Sequence, residues 1–205
     1  MLGLRGEKPL WIVTFPKAPP SSSQGSDTKI KAPLLAVVLW LADEGAYKTI
    51  IKEAKGQDKN DFRQTKKTDF AEEQVSLPIS KVRQKLNSLS NHQIQIARKT
   101  LAGWVCEFYH LMAKDLMIGF FFSNRDLVKI SQNQTSFLLK AMGLETAYQG
   151  KSIQQAHVAL PPIRKGQFFR RIELLNQHLK EKKLPNPLIH AWLEFERSFE
   201  HVVLS

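Results

Sequence analysis

The chain has 205 residues, 42% of them hydrophobic, with four tryptophans and a formal charge of +11. That apolar share suffices for a folded core and excludes a chain kept disordered by composition. A single cysteine, Cys106, excludes an internal disulfide and any site built from several thiolates, and suits a reducing, cytoplasmic setting. The apolar run 34–41 falls far short of the roughly 20 residues a membrane-spanning helix needs, so no membrane partner is expected. Residues 1–100 hold 17 basic and 10 acidic residues and the remainder 13 and 9, so the excess leans toward the N-terminal half. Such a balance fits nucleic acid or acidic partners and names neither.

In chain order, residues 9–16 form a short β-branched run between prolines and read as a strand. Residues 17–29 are rich in Pro, Ser and Gly and read as a linker. Pro33 suits the first position of a helix to Leu41 or Ala42, and 46–54 continues helically. Gly56 to Thr68 is charged and exposed, and Pro78 opens a helix with Ile79, Val82, Leu86 and Leu89 on one face and Lys81, Arg83 and Lys85 elsewhere. Residues 1–90 form a basic N-terminal extension without a motif. From residue 91 the pattern predicts helices at 91–102, 104–115, 125–142, 152–160, 167–181 and 187–204, with Gly103 and Pro161-Pro162 among the separators. Stripes such as Leu188, Trp192, Phe195, Phe199 and Val202 predict core faces. The fold class is all-α.

Three polar residues interrupt apolar stripes. Tyr109 shares a helix face with Val105, Phe108 and Met112, and Gln134 lies between Leu127 and Phe137-Leu138. A buried amide without a partner costs roughly 1–3 kcal/mol, so Gln134 needs either Tyr109 or a ligand. His157 sits in a short helix that Ser152 and Gln155 start as a capping box. Read alone, it is a hydrogen-bonded core histidine or an iron ligand. Cys106 reads as a small buried thiol, and His110 and His178 fall off the apolar stripes and are expected at the surface.

Tyr148-x-Gly150-Lys151-Ser152-x4-His157, the pair Phe108-Tyr109, the corner Phe121-Phe122-Ser123 and the run 126–139 occur in an order that resembles the truncated haemoglobins, the two-over-two globins, and their first group in particular. The resemblance covers about 95–205. It implies a truncated-globin-like haem domain over 91–205, following the partly helical extension 1–90. It also implies haem b as cofactor, with His157 as the proximal iron ligand. Tyr109 and Gln134 would stabilise bound dioxygen, and Phe121, Ile130, Leu138 and Phe168 would line the pocket. The family's paired glycine is reduced to Gly103. Asn133 stands where a basic residue often holds a haem propionate, and Arg170 and Arg171 replace aliphatic residues, so that one of them is a candidate for the propionate instead.

The resemblance implies binding of dioxygen and nitric oxide, either as carriage or as a nitric oxide dioxygenase. No Gly-x-Gly-x-x-Gly fingerprint is present, so turnover would require a separate reductase. A haem-based gas sensor using the basic extension as its output and a haem-free helical interaction module are the competing expectations; nucleic acid would be the sensor's partner.

Overall fold

The computed structural model describes residues 34–58, 79–145, 148–158 and 160–204. The expected strand at 9–16 and linker at 17–29 lie outside them. Among the described residues the chain is helical, without strands. The helices are α1 (34–42), α2 (Glu44–Asp58), α3 (Ile79–Asn87), α4 (Asn91–Lys114), α5 (Leu127–Ala141), α6 (Ile153–His157), α7 (Lys165–Glu181), α8 (Asn186–Arg197) and α9 (Glu200–Val203), with a 3-10 turn at Gly119–Phe122. None of the described helices is long and apolar enough to cross a membrane.

The two most extensive pairings are α4 on α5 and α7 on α8, and α4 also packs on α7, so the pairs are joined through α4. The cause is the apolar stripe of α4: Ala97, Leu101, Val105, Phe108, Tyr109 and Met112 are all buried. Helix α1 is buried on every side, with Leu34 to Leu39 each at 5% exposure or less, and it belongs to the same core as α4 and α8. Trp40 meets Trp104 of α4 at a ring distance of 6.1 Å.

Helix α4 corrects one expectation. Gly103 does not separate two helices but lies inside a single helix of 24 residues. Ser90 starts it by accepting from the Gln93 amide while the Gln93 side chain accepts from the Ser90 amide. An interior glycine costs only about 1 kcal/mol relative to alanine, which the buried stripe on both sides of it outweighs. The C-terminal segment departs in the other direction. The helix expected over 187–204 ends at Arg197 and restarts as α9.

The turn Gly119–Phe122 sets the aromatic corner. A Cβ on Gly119 would stand 2.7 Å from the Ala113 carbonyl oxygen, so only glycine lets the turn close this tightly on the end of α4. Asp115 holds the approach by accepting from the Met117 and Ile118 amides.

Candidate functional site

A cavity of about 90 Å³ lies among α4, α5, the 3-10 turn, α6, α7 and the last two helices. A single water needs only about 10–15 Å³, so the space suits an organic ligand better than one solvent molecule. Its lining unites Tyr109, Gln134, Phe121, Ile130, His157 and Phe168, six of the residues singled out in the sequence. The seventh, Leu138, is instead 1% exposed and lines an adjoining cavity of about 10 Å³. Gln134, Arg171 and Glu196 line both cavities and so form the wall between them.

His157 reaches the cavity from α6. The expected capping box is present: Ser152 accepts from the Gln155 amide and Gln155 accepts from the Ser152 amide. Helix α6 is shorter than the 152–160 expected and ends at His157 itself. Nδ1–H of His157 donates to the Ile153 carbonyl at 2.6 Å, which selects the tautomer with the lone pair on Nε2. Burial holds the imidazole below its ordinary 6.5, against the raising effect of that hydrogen bond, and so favours the neutral form that binds metals.

Tyr109 and Gln134 arrive from the α4–α5 pair. Both are buried, at 6% and 5% exposure. The Tyr109 hydroxyl donates to Gln134 Oε1 across 3.5 Å, well beyond the usual 2.7–2.8 Å or so for such a bond. The two tips therefore face each other without gripping. Phe108 and Phe122 hold the Tyr109 ring edge-on at 6.2 and 5.8 Å. Burial pushes its phenol up to about 12, so it stays protonated at neutral pH.

Sequence reasoning offered Arg171 as one of two candidates for a haem propionate and missed Glu196. In the structure Arg171 Nη1 donates to Glu196 Oε2 at 2.7 Å, and its guanidinium lies 5.5 Å from the Phe108 ring centre. The signal was available. Arg171 follows Phe168 by three residues and Glu196 follows Trp192 by four, so both charges fall on apolar stripes. Arg170 points elsewhere, to Asp115 and Glu173. Phe137, Phe199 and Ile153 complete the apolar wall.

His178 corrects a further expectation. It is buried at 5%, its Nε2–H donates to the Trp104 carbonyl at 3.0 Å, and its ring stacks on Phe108. His110 is exposed, as expected, whereas Cys106, expected to be buried, is only half-buried and lies 3.8 Å from the His110 Nδ1. No cluster of three or more His, Cys, Asp or Glu able to hold a metal exists among the described residues. A haem iron asks for only one protein ligand, so this constrains other metal sites and not a haem site.

Burial lowers the ionisation of both His157 and His178, and this has a pH consequence. Near pH 6.5 the unfolded chain binds protons that the folded chain refuses, so stability rises with pH there. It is fully present above 6.5 and is lost as pH falls through 6.5 toward the folded values. The urea midpoint of the protein should therefore drop between about pH 7.5 and pH 5.5, and His178→Gln should flatten the slope. An equal slope in wild type and variant would remove His178 as a contributor.

Comparison with known proteins finds no matching family model, curated protein or solved structure.

Proposed function

We propose that the chain is a haem protein of two-over-two globin type, binding dioxygen and nitric oxide in the larger cavity. The observation that carries this reading is that His157, Tyr109 and Gln134, from three different helices, line one largely apolar cavity. The joining of α4–α5 to α7–α8 through α4 supports the globin arrangement.

The residues fit the group. The donor chemistry is that of a proximal histidine: a half-buried neutral imidazole whose Nδ1–H is committed to a backbone carbonyl. The walls offer Phe121, Phe168 and Ile130 to an apolar macrocycle. Asn133, at the propionate position of the resemblance, has its Nδ2 buried without a hydrogen-bond partner but does not line the cavity.

Haem, when bound, would supply a redox-active iron able to take a diatomic gas. His157 would hold it through Nε2. Tyr109 would donate its hydroxyl hydrogen toward partial negative charge on the gas, with Gln134 assisting. The phenylalanine wall keeps water from the site. Conversion of nitric oxide to nitrate would draw its electrons from a separate reductase, because the chain carries no nucleotide fingerprint.

Titration of the full chain with haemin tests the reading. A strong violet absorption band saturating at one haemin per chain is expected, and its absence would end the haem assignment. Tyr109→Phe should then speed oxygen dissociation about tenfold, the effect of losing one hydrogen bond of roughly 1.4 kcal/mol. An unchanged rate would remove Tyr109 from its role.

A further inference from the structure

We propose that the corner between α4 and α5 is a docking tip for an anionic lipid surface. Four of the eight large apolar side chains left exposed among the described residues, Leu116, Met117, Phe120 and Val128, fall within 116–128, a concentration that singly scattered surface residues do not produce. Leu116 is fully exposed, and Met117 and Phe120 are about half exposed, at 51% and 52%. The turn is built to hold them out. Ile118 and Phe121 alternate with them and point inward, at 3% and 7% exposure, where both line the larger cavity. Asp115 accepts from the Met117 and Ile118 amides through its side chain and from the Gly119 amide through its carbonyl. Its carboxylate also accepts from Arg170 of α7 at 2.9 Å. A tip fixed in this way loses little further freedom on docking. Folding gains nothing from apolar groups left in water, so their placement there calls for a partner.

The charges choose that partner. Lys114 and Lys129 flank the segment, both are exposed, and neither carries an ion pair among the described residues. The acids of the segment are committed, Asp115 to Arg170 and Asp126 to the Lys129 amide at the start of α5. A second copy would bring the lysines of two tips together, on chains that each carry +11. An anionic bilayer instead takes the apolar side chains at its acyl boundary and the lysines among its headgroups, so the two attractions add. The expectation of no membrane partner rested on spanning length, which lying on a bilayer face does not need. The inference goes beyond the haem reading and does not depend on it.

Flotation of the full chain tests this, with vesicles of phosphatidylcholine alone and of phosphatidylcholine holding about 30% phosphatidylglycerol. Uptake by the anionic vesicles only is expected, weakening as salt is raised. Leu116→Ser with Phe120→Ser should weaken it at least about tenfold, and so should Lys114→Glu with Lys129→Glu. Ile96→Ser, which removes an exposed apolar residue near the start of α4, should change it by less than about twofold. Every altered side chain is exposed, so urea midpoints should stay close to wild type. No uptake by anionic vesicles, equal uptake by both kinds, or undiminished uptake of the double serine variant would overturn the proposal. So would light scattering that shows a wild-type dimer and a monomeric serine variant, since a second copy would then be the occupant.

Discussion

Haemin binding to His157→Ala should weaken by more than about 100-fold under the proposed haem assignment, because changes to the surroundings of a metal ligand alone cost about 10–100-fold and here the proposed ligand itself is removed. The violet band should broaden or vanish at micromolar protein. Free imidazole at millimolar concentration should restore a histidine-like spectrum, since the substitution leaves room where the ring was. Rescue distinguishes loss of the ligand from loss of the fold. Folding itself should be little changed. His157 closes a helix of five residues, and that helix is fastened by the Ser152–Gln155 capping box and by the burial of Ile153 and Ala156. A variant that binds haemin as tightly as wild type would refute the assignment of His157.

Phe137→Ala should destabilise the protein by about 3–5 kcal/mol, the usual cost of deleting a buried phenyl ring. Phe137 is 1% exposed and meets three other aromatic rings, 6.1 Å from Tyr148, 5.9 Å from Phe195 and 5.8 Å from Phe199. It also borders the larger cavity, so its removal enlarges a void that already exists instead of opening a new one. Neighbours on α5 and α8 are held by their own helices and have little freedom to close the gap. Urea unfolding of the haem-free chain measures the loss directly. A change under about 1 kcal/mol would show that the aromatic cluster collapses into the space. Saturating haemin should recover part of the stability in proportion to its affinity for the folded chain.

Helix identity was written plainly in the chain, because the apolar stripes of α4, α5, α7 and α8 repeat at helical spacing and packing follows from them. Ends were legible where a side chain closes the backbone, as Ser152 with Gln155 does for α6. They were misread where glycine stood for a break. Gly103 has nothing within 4 Å of its missing Cβ, so it serves no tight approach and merely rides on the outer face of α4. At the candidate site, Tyr109, Gln134 and His157 could be found because each is a polar residue in apolar company. Arg171 and Glu196 offered the same signal, but their pairing joins α7 to α8, and only the tertiary arrangement brings those stripes together. His178 was misplaced for a related reason: its partner is a backbone carbonyl on α4, 74 residues earlier, and periodicity has no means of locating such an acceptor.

The burial of α1 sets where the chain can be cut. Trp40 leans on Trp104, and Leu34, Val37 and Val38 are at most 1% exposed within the core that α4 and α8 share. A fragment begun at Asn91 would thus forfeit interior material, not a detachable arm, and its newly bared tryptophan face would invite clumping. Any minimal expressible piece must start upstream of Leu34.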